Sequence, residues 1–172
     1  MCDEGRYGFD WIDERRLTNV RNDGVESTWD QAIAAIAAEL GDLRRKRTGS
    51  RLGVIASAQL TNEELFLIRE VFQSAVGAHV TADVPAPPGY SDEFLIKGDK
   101  NPNTRGAAML GLSGPGTLDA SAIVDAALRG HIDALWVFGH DLEKLFEKEK
   151  LEQLSHKLRL FDFSATNDNT TV

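Results

Sequence analysis

The side chains that most often bind metals or act as nucleophiles are sparse in this sequence. The chain has one cysteine, Cys2, and its histidines are His79, His131, His140 and His156. Zinc ligands come in closely spaced pairs, and none of these residues is paired at helical or short-loop spacing. No serine stands in a Gly-x-Ser-x-Gly elbow. We therefore expect no zinc site, no disulfide within the chain and no hydrolase of the α/β type.

Two short segments have the composition of ligand-binding loops. Residues 111–116 (GLSGPG) are as glycine-rich as a phosphate-binding loop, but they follow a predicted helix instead of a strand, and Pro115 has no amide hydrogen to offer a phosphate. We interpret that segment as a turn. His140-Asp141 directly follows an apolar run, at a position that often faces a ligand in α/β folds. Because Asp also caps helices well, the helix N-cap is the preferred interpretation of Asp141.

A long helix is predicted to begin after Thr28. Thr28-x-x-Gln31 matches a capping box, and apolar residues recur behind it at steps of three and four. This stripe predicts that Trp29, Ile33 and Leu40 lie in the core. The basic run Arg44-Arg45-Lys46-Arg47 follows at the end of the helix, where cations complement the helix dipole. We expect Arg44, Arg45 and Arg47 to be solvated.

Strands and helices alternate along the rest of the chain. Strands are predicted at residues 52–56, 134–138 and 158–163, and helices at 61–77, 119–129 and 142–155. The second helix begins with a capping box at Thr61 and carries Leu65, Ile68 and Phe72 on one face. Nearly continuous apolar strands are typical of a parallel sheet covered on both faces. The fold class expected is α/β, with Rossmann-like αβα layers and a mostly parallel sheet.

The sheet is expected to be incomplete at both ends, and the chain also contains one long irregular connection. Residues 83–116 hold all five prolines, and an irregular connection of this length is typical of a binding segment. The strand at 158–163 is followed only by the polar residues 164–172. An uncovered strand edge there would favour self-association. We therefore expect dimerisation or aggregation unless the polar tail folds back over the edge, whereas a domain that is complete as it stands would be a monomer.

Composition excludes several classes of partner. The chain has 27 acidic and 19 basic residues and a formal net charge of −8, so its surface would on average repel nucleic acid and anionic lipid. No run approaches the roughly 20 apolar residues of a membrane span, and the charged N-terminus is unlike a signal peptide. A cytoplasmic location is expected.

Five segments carry a resemblance to a known family. Residues 2–9 (CDEGRYGF), 13–18, 29–32 and 56–64 resemble corresponding segments of molybdopterin oxidoreductases and the related complex I subunit. The most specific string is 94–107 (FLIKGDKNPNTRGA), which resembles the large iron-sulphur (G-type) subunit of bacterial NADH-quinone oxidoreductase. The resemblance covers about the first two thirds of the chain.

This resemblance implies a domain division and a metal ligand. Residues 1–27 would be a remnant of the iron-sulphur domain, and 28–172 the α/β domain. Cys2 would be the fourth ligand of a 4Fe-4S cluster in the parent protein. Because such a cluster needs four thiolates, none is expected in the isolated chain. Molybdopterin is disfavoured, since Glu4 replaces a lysine found in molybdenum enzymes. Asp99 would bind cofactor only if molybdenum were present; otherwise it is an ion-paired loop residue beside Lys100.

Three functions remain open from the sequence. The first is a scaffold segment of the G-type subunit, not catalytic by itself, with the other subunits of the peripheral arm as partners. It would associate with the inner membrane only through that complex. The second is a fragment of a molybdopterin-dependent oxidoreductase such as a formate dehydrogenase. The third is a free-standing Rossmann-like binding or assembly module, for which Cys2 would be incidental.

Overall fold

The computed structural model describes residues 6–9, 16–22, 24–84 and 89–163, the last four of these by their backbone alone. In chain order its elements are β1 (Val20–Asn22), β2 (Val25–Ser27), α1 (Trp29–Lys46), β3 (Leu52–Ala56), α2 (Asn62–Ile68), β4 (His79–Thr81), α3 (Thr104–Met109), α4 (Ala120–Leu128), β5 (Ala134–Phe138), α5 (Lys148–Ser155) and β6 (Arg159–Phe163). A π-helix at Arg69–Val76 continues α2. Two 3-10 turns lie at Gly49–Arg51 and Leu142–Lys144.

Four of the strands form one parallel sheet in the order β4-β3-β5-β6. β3 and β5 lie at its centre, with Leu52 opposite Ala134 and Ala56 opposite Phe138. The chain passes from β3 to β4 on one side and then returns to β5 on the other side. The direction of winding therefore reverses between β3 and β5. The predicted α/β class with a parallel sheet is confirmed.

Side chains from the two faces of the sheet enter two separate cores. Alternate residues of β3 and β5 point to opposite faces, as strand geometry requires. One core packs α1, α2 and the π-helix against Leu52, Val54 and Trp136. The other packs α4 and α5 against Ile55 and Val137. These layers are the αβα arrangement expected from the sequence.

The first helix begins as predicted but is buried less deeply than expected. Thr28 and Gln31 form the capping box, and the basic run at the end of the helix is exposed. Trp29 and Ile33 were expected in the core, and this prediction is wrong, because they are 60% and 57% exposed. Leu40 is half-buried against the core. An 18-residue helix is about 27 Å long, whereas five-residue strands span about 17 Å. The sheet therefore covers only part of the stripe.

The second helix agrees with its sequence signals. Thr61 and Glu64 form a capping box, and the helical course ends at Gly77, whose φ is +84°. Leu65, Ile68 and Phe72 are buried on one face. The switch to π-helical hydrogen bonding from Arg69 onwards was not predicted, and the apolar spacing carries no signal for it.

The predicted single helix over 142–155 is two shorter segments. Leu142 lies in a 3-10 turn, and α5 begins only at Lys148. Leu142 and Leu151 are both buried in the same core. Nine residues along one straight helix would place them about 180° apart, on opposite faces. The break therefore lets both leucines face the sheet.

The three-residue strand β4 and the hairpin of β1 and β2 were not predicted. The connection 83–116 contains the short helix α3, which is the helix expected before Gly111. β1 and β2 form an antiparallel hairpin, for which an Asp-Gly pair at positions 23 and 24 is the sequence signal. The domain division after residue 27 stays a prediction. In the described part of the chain, no helix combines the length and apolar character that a membrane span requires.

Candidate functional site

The carboxyl edge of the sheet between β3 and β5 is the candidate site. In open α/β sheets, ligands bind outside the carboxyl ends of the strands where the winding reverses. Here Ser57 follows β3 and Gly139 follows β5. Gly139 has a φ of +69°, and a Cβ atom at this position would lie 3.3 Å from the Cβ of Ser57. The two loops therefore meet directly above the centre of the sheet.

Ser57 shapes the loop between β3 and α2. Its side chain is buried, and its Oγ accepts a hydrogen bond from the N–H of Gln59 at 3.1 Å. The N–H of Leu60 donates to the carbonyl oxygen of Ser57, also at 3.1 Å. These bonds form a tight turn that leads into the capped start of α2. Ser57 is therefore a positioning residue for this edge, and the sequence reasoning did not single it out.

His140 links the loop after β5 to the carboxyl end of β3. Its Nε2 lies 3.2 Å from the carbonyl oxygen of Ala56. Because a carbonyl oxygen can only accept, Nε2 must carry the hydrogen in this bond. Burial lowers the pKa of His140, since it disfavours the imidazolium form. A neutral ring that donates from Nε2 acts as a structural donor. Next to it, Asp141 accepts a hydrogen bond from the N–H of Glu143 at 3.0 Å, which confirms the N-cap interpretation.

Asn103 fastens the motif at 94–107 to the same edge. Its Nδ2 donates to the carbonyl oxygen of Leu60 at 2.8 Å and to Oδ1 of Asn62 at 3.1 Å. Its own N–H donates to the carbonyl oxygen of Ala58 at 3.0 Å. Gly106 makes this approach possible, because a Cβ atom there would lie 2.2 Å from Oδ1 of both asparagines. The motif therefore has a structural role that its sequence alone did not reveal.

Asp99 lies in the exposed loop before this anchor. Its carboxylate accepts hydrogen bonds from the side chain of Thr104 and from the N–H of Asn101, the latter at 2.9 Å. Both bonds lower the pKa of Asp99, the bond from Thr104 more strongly. Lys100 instead donates to the carbonyl oxygens of Tyr90 and Lys97. Asp99 is therefore held in a local turn, and its role as a molybdenum ligand stays a prediction.

The metal chemistry implied by the resemblance does not fit this chain alone. Cys2 lies outside the described residues, and it is the one cysteine of the sequence. One thiolate cannot replace the four that a 4Fe-4S cluster requires. Within the described ranges, no three His, Cys, Asp or Glu side chains come together as a possible metal site.

The glycine-rich segment at 111–116 is a turn, which confirms the interpretation made from the sequence. Gly111, Gly114 and Gly116 all have positive φ angles, and the N–H of Thr117 donates to the carbonyl oxygen of Gly114 at 3.1 Å. The carbonyl oxygen of Leu112 accepts hydrogen bonds from Ala82 and Thr81. The turn therefore joins the end of β4.

Comparison with known proteins supplies partial matches at low identity. A presumptive formate dehydrogenase of Bacillus subtilis is 33% identical over 82 aligned positions, and the match covers 42% of this chain and 8% of that protein. NADH-quinone oxidoreductase subunit 3 of Thermus thermophilus is 33% identical over 84 aligned positions, and the match covers 46% of this chain and 10% of that protein. A presumptive formate dehydrogenase of Staphylococcus haemolyticus is 27% identical over 141 aligned positions, and the match covers 74% of this chain and 14% of that protein.

The chain thus spans roughly a tenth of the length of each of these relatives. No family model and no solved structure matches it. All three relatives are oxidoreductases by name, and the B. subtilis and T. thermophilus proteins share about a third of the aligned residues with this chain. These similarities are therefore to oxidoreductases, at low identity and over part of the chain.

Proposed function

We propose that this chain is a scaffold segment of the electron-transferring G-type subunit of an NADH-quinone oxidoreductase, and that it is not catalytic by itself. The observation that carries this proposal is the 33% identity to NADH-quinone oxidoreductase subunit 3 of T. thermophilus. The partners would be other subunits of a peripheral arm. The chain would then reach the membrane through that complex.

The packing of the central strands suits a scaffold role. Electron transfer between fixed centres needs a rigid support, and rigidity comes from close packing. In β3, a Cβ atom on Gly53 would lie 2.6 Å from Cγ2 of Ile123, so α4 sits unusually close to the sheet. At the carboxyl edge, His140 and Asn103 tie three loops together. These contacts hold backbone in place, and none of them needs a bound substrate.

Iron-sulphur chemistry belongs to the parent protein in this proposal. Cys2 would supply one thiolate, and the three others would come from outside this sequence. The role of the described residues is then to hold the α/β domain beside the cluster domain.

A second candidate is a fragment of a molybdopterin-dependent oxidoreductase such as a formate dehydrogenase. The observation that favours it is coverage, because the match to the S. haemolyticus protein extends over 74% of the chain. In that case the loops after β3 and β5 would line a pocket for the pterin nucleotide. These loops lie at the reversal of winding, where open α/β sheets bind their ligands.

Anaerobic purification of the tagged chain from its source cells tests both candidates. Co-purification of NADH-dependent quinone reduction without molybdenum supports the first. Stoichiometric molybdenum with formate-dependent dye reduction supports the second and rejects the first. A chain that purifies with neither activity nor metal, although the cells contain both activities, rejects both and leaves the free-standing module.

A further inference from the structure

The amino edge of the parallel sheet is strongly basic. This edge consists of the segments that lead into the four strands, which are residues 44–51, 77–79, 129–133 and 156–159. Together they contain eight basic residues and one acidic residue. The basic residues are all exposed, and they are Arg44, Arg45, Lys46, Arg47, Arg51, Arg129, Lys157 and Arg159. The rest of the chain has 11 basic and 26 acidic residues, so positive and negative charge are separated in the sequence.

Contacts between these segments hold the basic side chains on one surface. The N–H of Asp133 donates to the carbonyl oxygen of Arg51 at 2.8 Å, and the N–H of Arg159 donates to that of Asp133 at 3.0 Å. Nζ of Lys157 donates to the carbonyl oxygen of Leu128 at 2.7 Å, at the end of α4. The charges therefore come from connections that are far apart in the sequence but adjacent in the fold.

Ion pairs within the molecule offset only part of this charge. Three carboxylates take part, in the pairs Arg51–Asp133, Arg159–Glu39 and Arg45–Asp42, and Nζ of Lys46 also lies 3.2 Å from Asp42. Eight cations and three carboxylates leave five positive charges in excess. The paired guanidinium groups remain accessible as well, since the side chains of Arg51 and Arg159 are 43% and 60% exposed.

Helix dipoles do not account for an excess of this size. The helices α1, α4 and α5 all end at this edge, and cations complement the negative ends of helices. Each helix end carries about half a negative charge, so three helices together supply about 1.5 charges. More than half of the positive excess therefore remains for a partner outside the described structure.

The extent of the basic surface indicates the kind of partner. Four strands about 4.8 Å apart span about 14 Å. A bilayer or a long nucleic acid would extend past this width towards the acidic remainder of the surface, which repels polyanions. A cluster of carboxylates on another protein can match the edge without reaching that remainder. Guanidinium groups also bind carboxylates through two parallel hydrogen bonds, as Arg159 does to Glu39.

We propose that the amino edge of the sheet docks an acidic surface of a partner protein. The main contacts would come from Arg44, Arg47 and Arg129, which take part in none of the ion pairs between described residues. The proposal goes beyond the redox role, because it applies equally to a free-standing module.

A fluorescein-labelled oligoglutamate peptide, titrated with the full chain, tests the proposal. We expect saturable binding, and its dissociation constant should rise about tenfold between about 50 and 300 mM NaCl, because salt screens exposed charges. The triple variant Arg44→Glu/Arg47→Glu/Arg129→Glu should raise the dissociation constant about tenfold or more. In NMR spectra, the amide shifts that the peptide causes should be confined to residues 44–51, 129–133 and 156–159.

A matched control separates the amino edge from the overall charge. The control is the triple variant Lys97→Glu/Arg105→Glu/Lys144→Glu. It makes the same change in net charge at exposed residues in the segments that follow β4 and β5. It should raise the dissociation constant about twofold at most, because these residues lie away from the amino edge. Circular dichroism of both triple variants verifies folding.

Three results overturn the proposal. The first is no binding of the peptide at the lower salt concentration. The second is an equal loss of binding in the two triple variants, which would show that net charge alone governs the interaction. The third is tighter binding to duplex DNA of equal charge, or to vesicles that contain phosphatidylserine, than to the peptide. That result would assign the edge to a phosphate-bearing polyanion or to a membrane surface.

Discussion

Nδ2 of Asn103 lies 2.8 Å from the carbonyl oxygen of Leu60, and this bond fastens the loop before α3 to the loop before α2. The two residues are 43 positions apart in the sequence. The same amide reaches Oδ1 of Asn62, so one side chain holds both loops at the carboxyl edge. This side chain therefore helps to fix the relative position of two loops at the candidate site.

Replacing Asn103 should loosen this edge. In Asn103→Ala the carbonyl oxygen of Leu60 loses its side-chain donor, and we expect a loss of about 1–2 kcal/mol of unfolding free energy. Amide exchange should rise in residues 58–62 and 101–106. Asn101→Ala is the matched control, because that side chain is exposed and contacts only Asp99 in the bonds described. Equal losses for the two variants would contradict the anchoring role.

Gly53 should not tolerate a side chain. Its added Cβ atom would approach Ile123 to 2.6 Å, and overpacking of this kind costs about 1–3 kcal/mol. Gly53→Ala should therefore lower the midpoint of urea unfolding. Combined with Ile123→Ala, the loss should be less than the sum of the single losses, since the clash is relieved. At Gly41 in α1, by contrast, an added Cβ atom would have no neighbour within 4 Å. Gly41→Ala should therefore raise the free energy of unfolding by about 0.5–1 kcal/mol.

Trp29 should contribute little to stability despite its size. Because its side chain is 60% exposed, we expect Trp29→Ala to cost less than about 1 kcal/mol. Leu65→Ala should cost about 2–5 kcal/mol, because Leu65 is fully buried in the same layer. Chemical denaturation of both variants measures the difference. A larger loss for Trp29→Ala than for Leu65→Ala would show that α1 lies deeper than described.

His140 should make the fold sensitive to mild acid. Burial lowers its pKa below the ordinary value of 6.5, so the unfolded chain binds the proton first. Well above pH 6.5 both states are neutral and His140 adds no pH dependence. As the pH falls below 6.5, protonation of the unfolded state should reduce stability. In His140→Gln, the contribution of this histidine to the fall in unfolding free energy between pH 7 and 5 should disappear. Thermal unfolding of both proteins at several pH values measures the difference.

Reconstitution with iron and sulphide should not yield one 4Fe-4S cluster per chain. A single thiolate, that of Cys2, cannot satisfy four irons. Iron and sulphide analysis with the absorbance spectrum measures occupancy, and mass measurement detects a cluster shared between chains. If no cluster forms, Cys2→Ser should show the same iron and sulphide content as the unsubstituted chain. A stable cluster on a monomer would disprove the single-ligand argument.

The sequence by itself determined the elements whose signals are local. The capping boxes at Thr28 and Thr61, the apolar strands at Leu52–Ala56 and Ala134–Phe138, and the cap at Asp141 are all in place. Each depends on residues within a few positions of one another, so spacing alone predicts it. The family resemblance was likewise carried by short strings of residues.

Tertiary structure alone decided how deeply α1 is buried and which loops meet. Trp29 and Ile33 share the periodicity of Ile36 and Leu40, but a helix longer than its sheet cannot bury its whole stripe. The helix is interrupted before α5 because Leu142 and Leu151 both pack into the same core, which a straight helix would not allow. The anchor from Asn103 to Leu60 spans 43 positions, and no local pattern encodes a contact between segments that only the fold brings together.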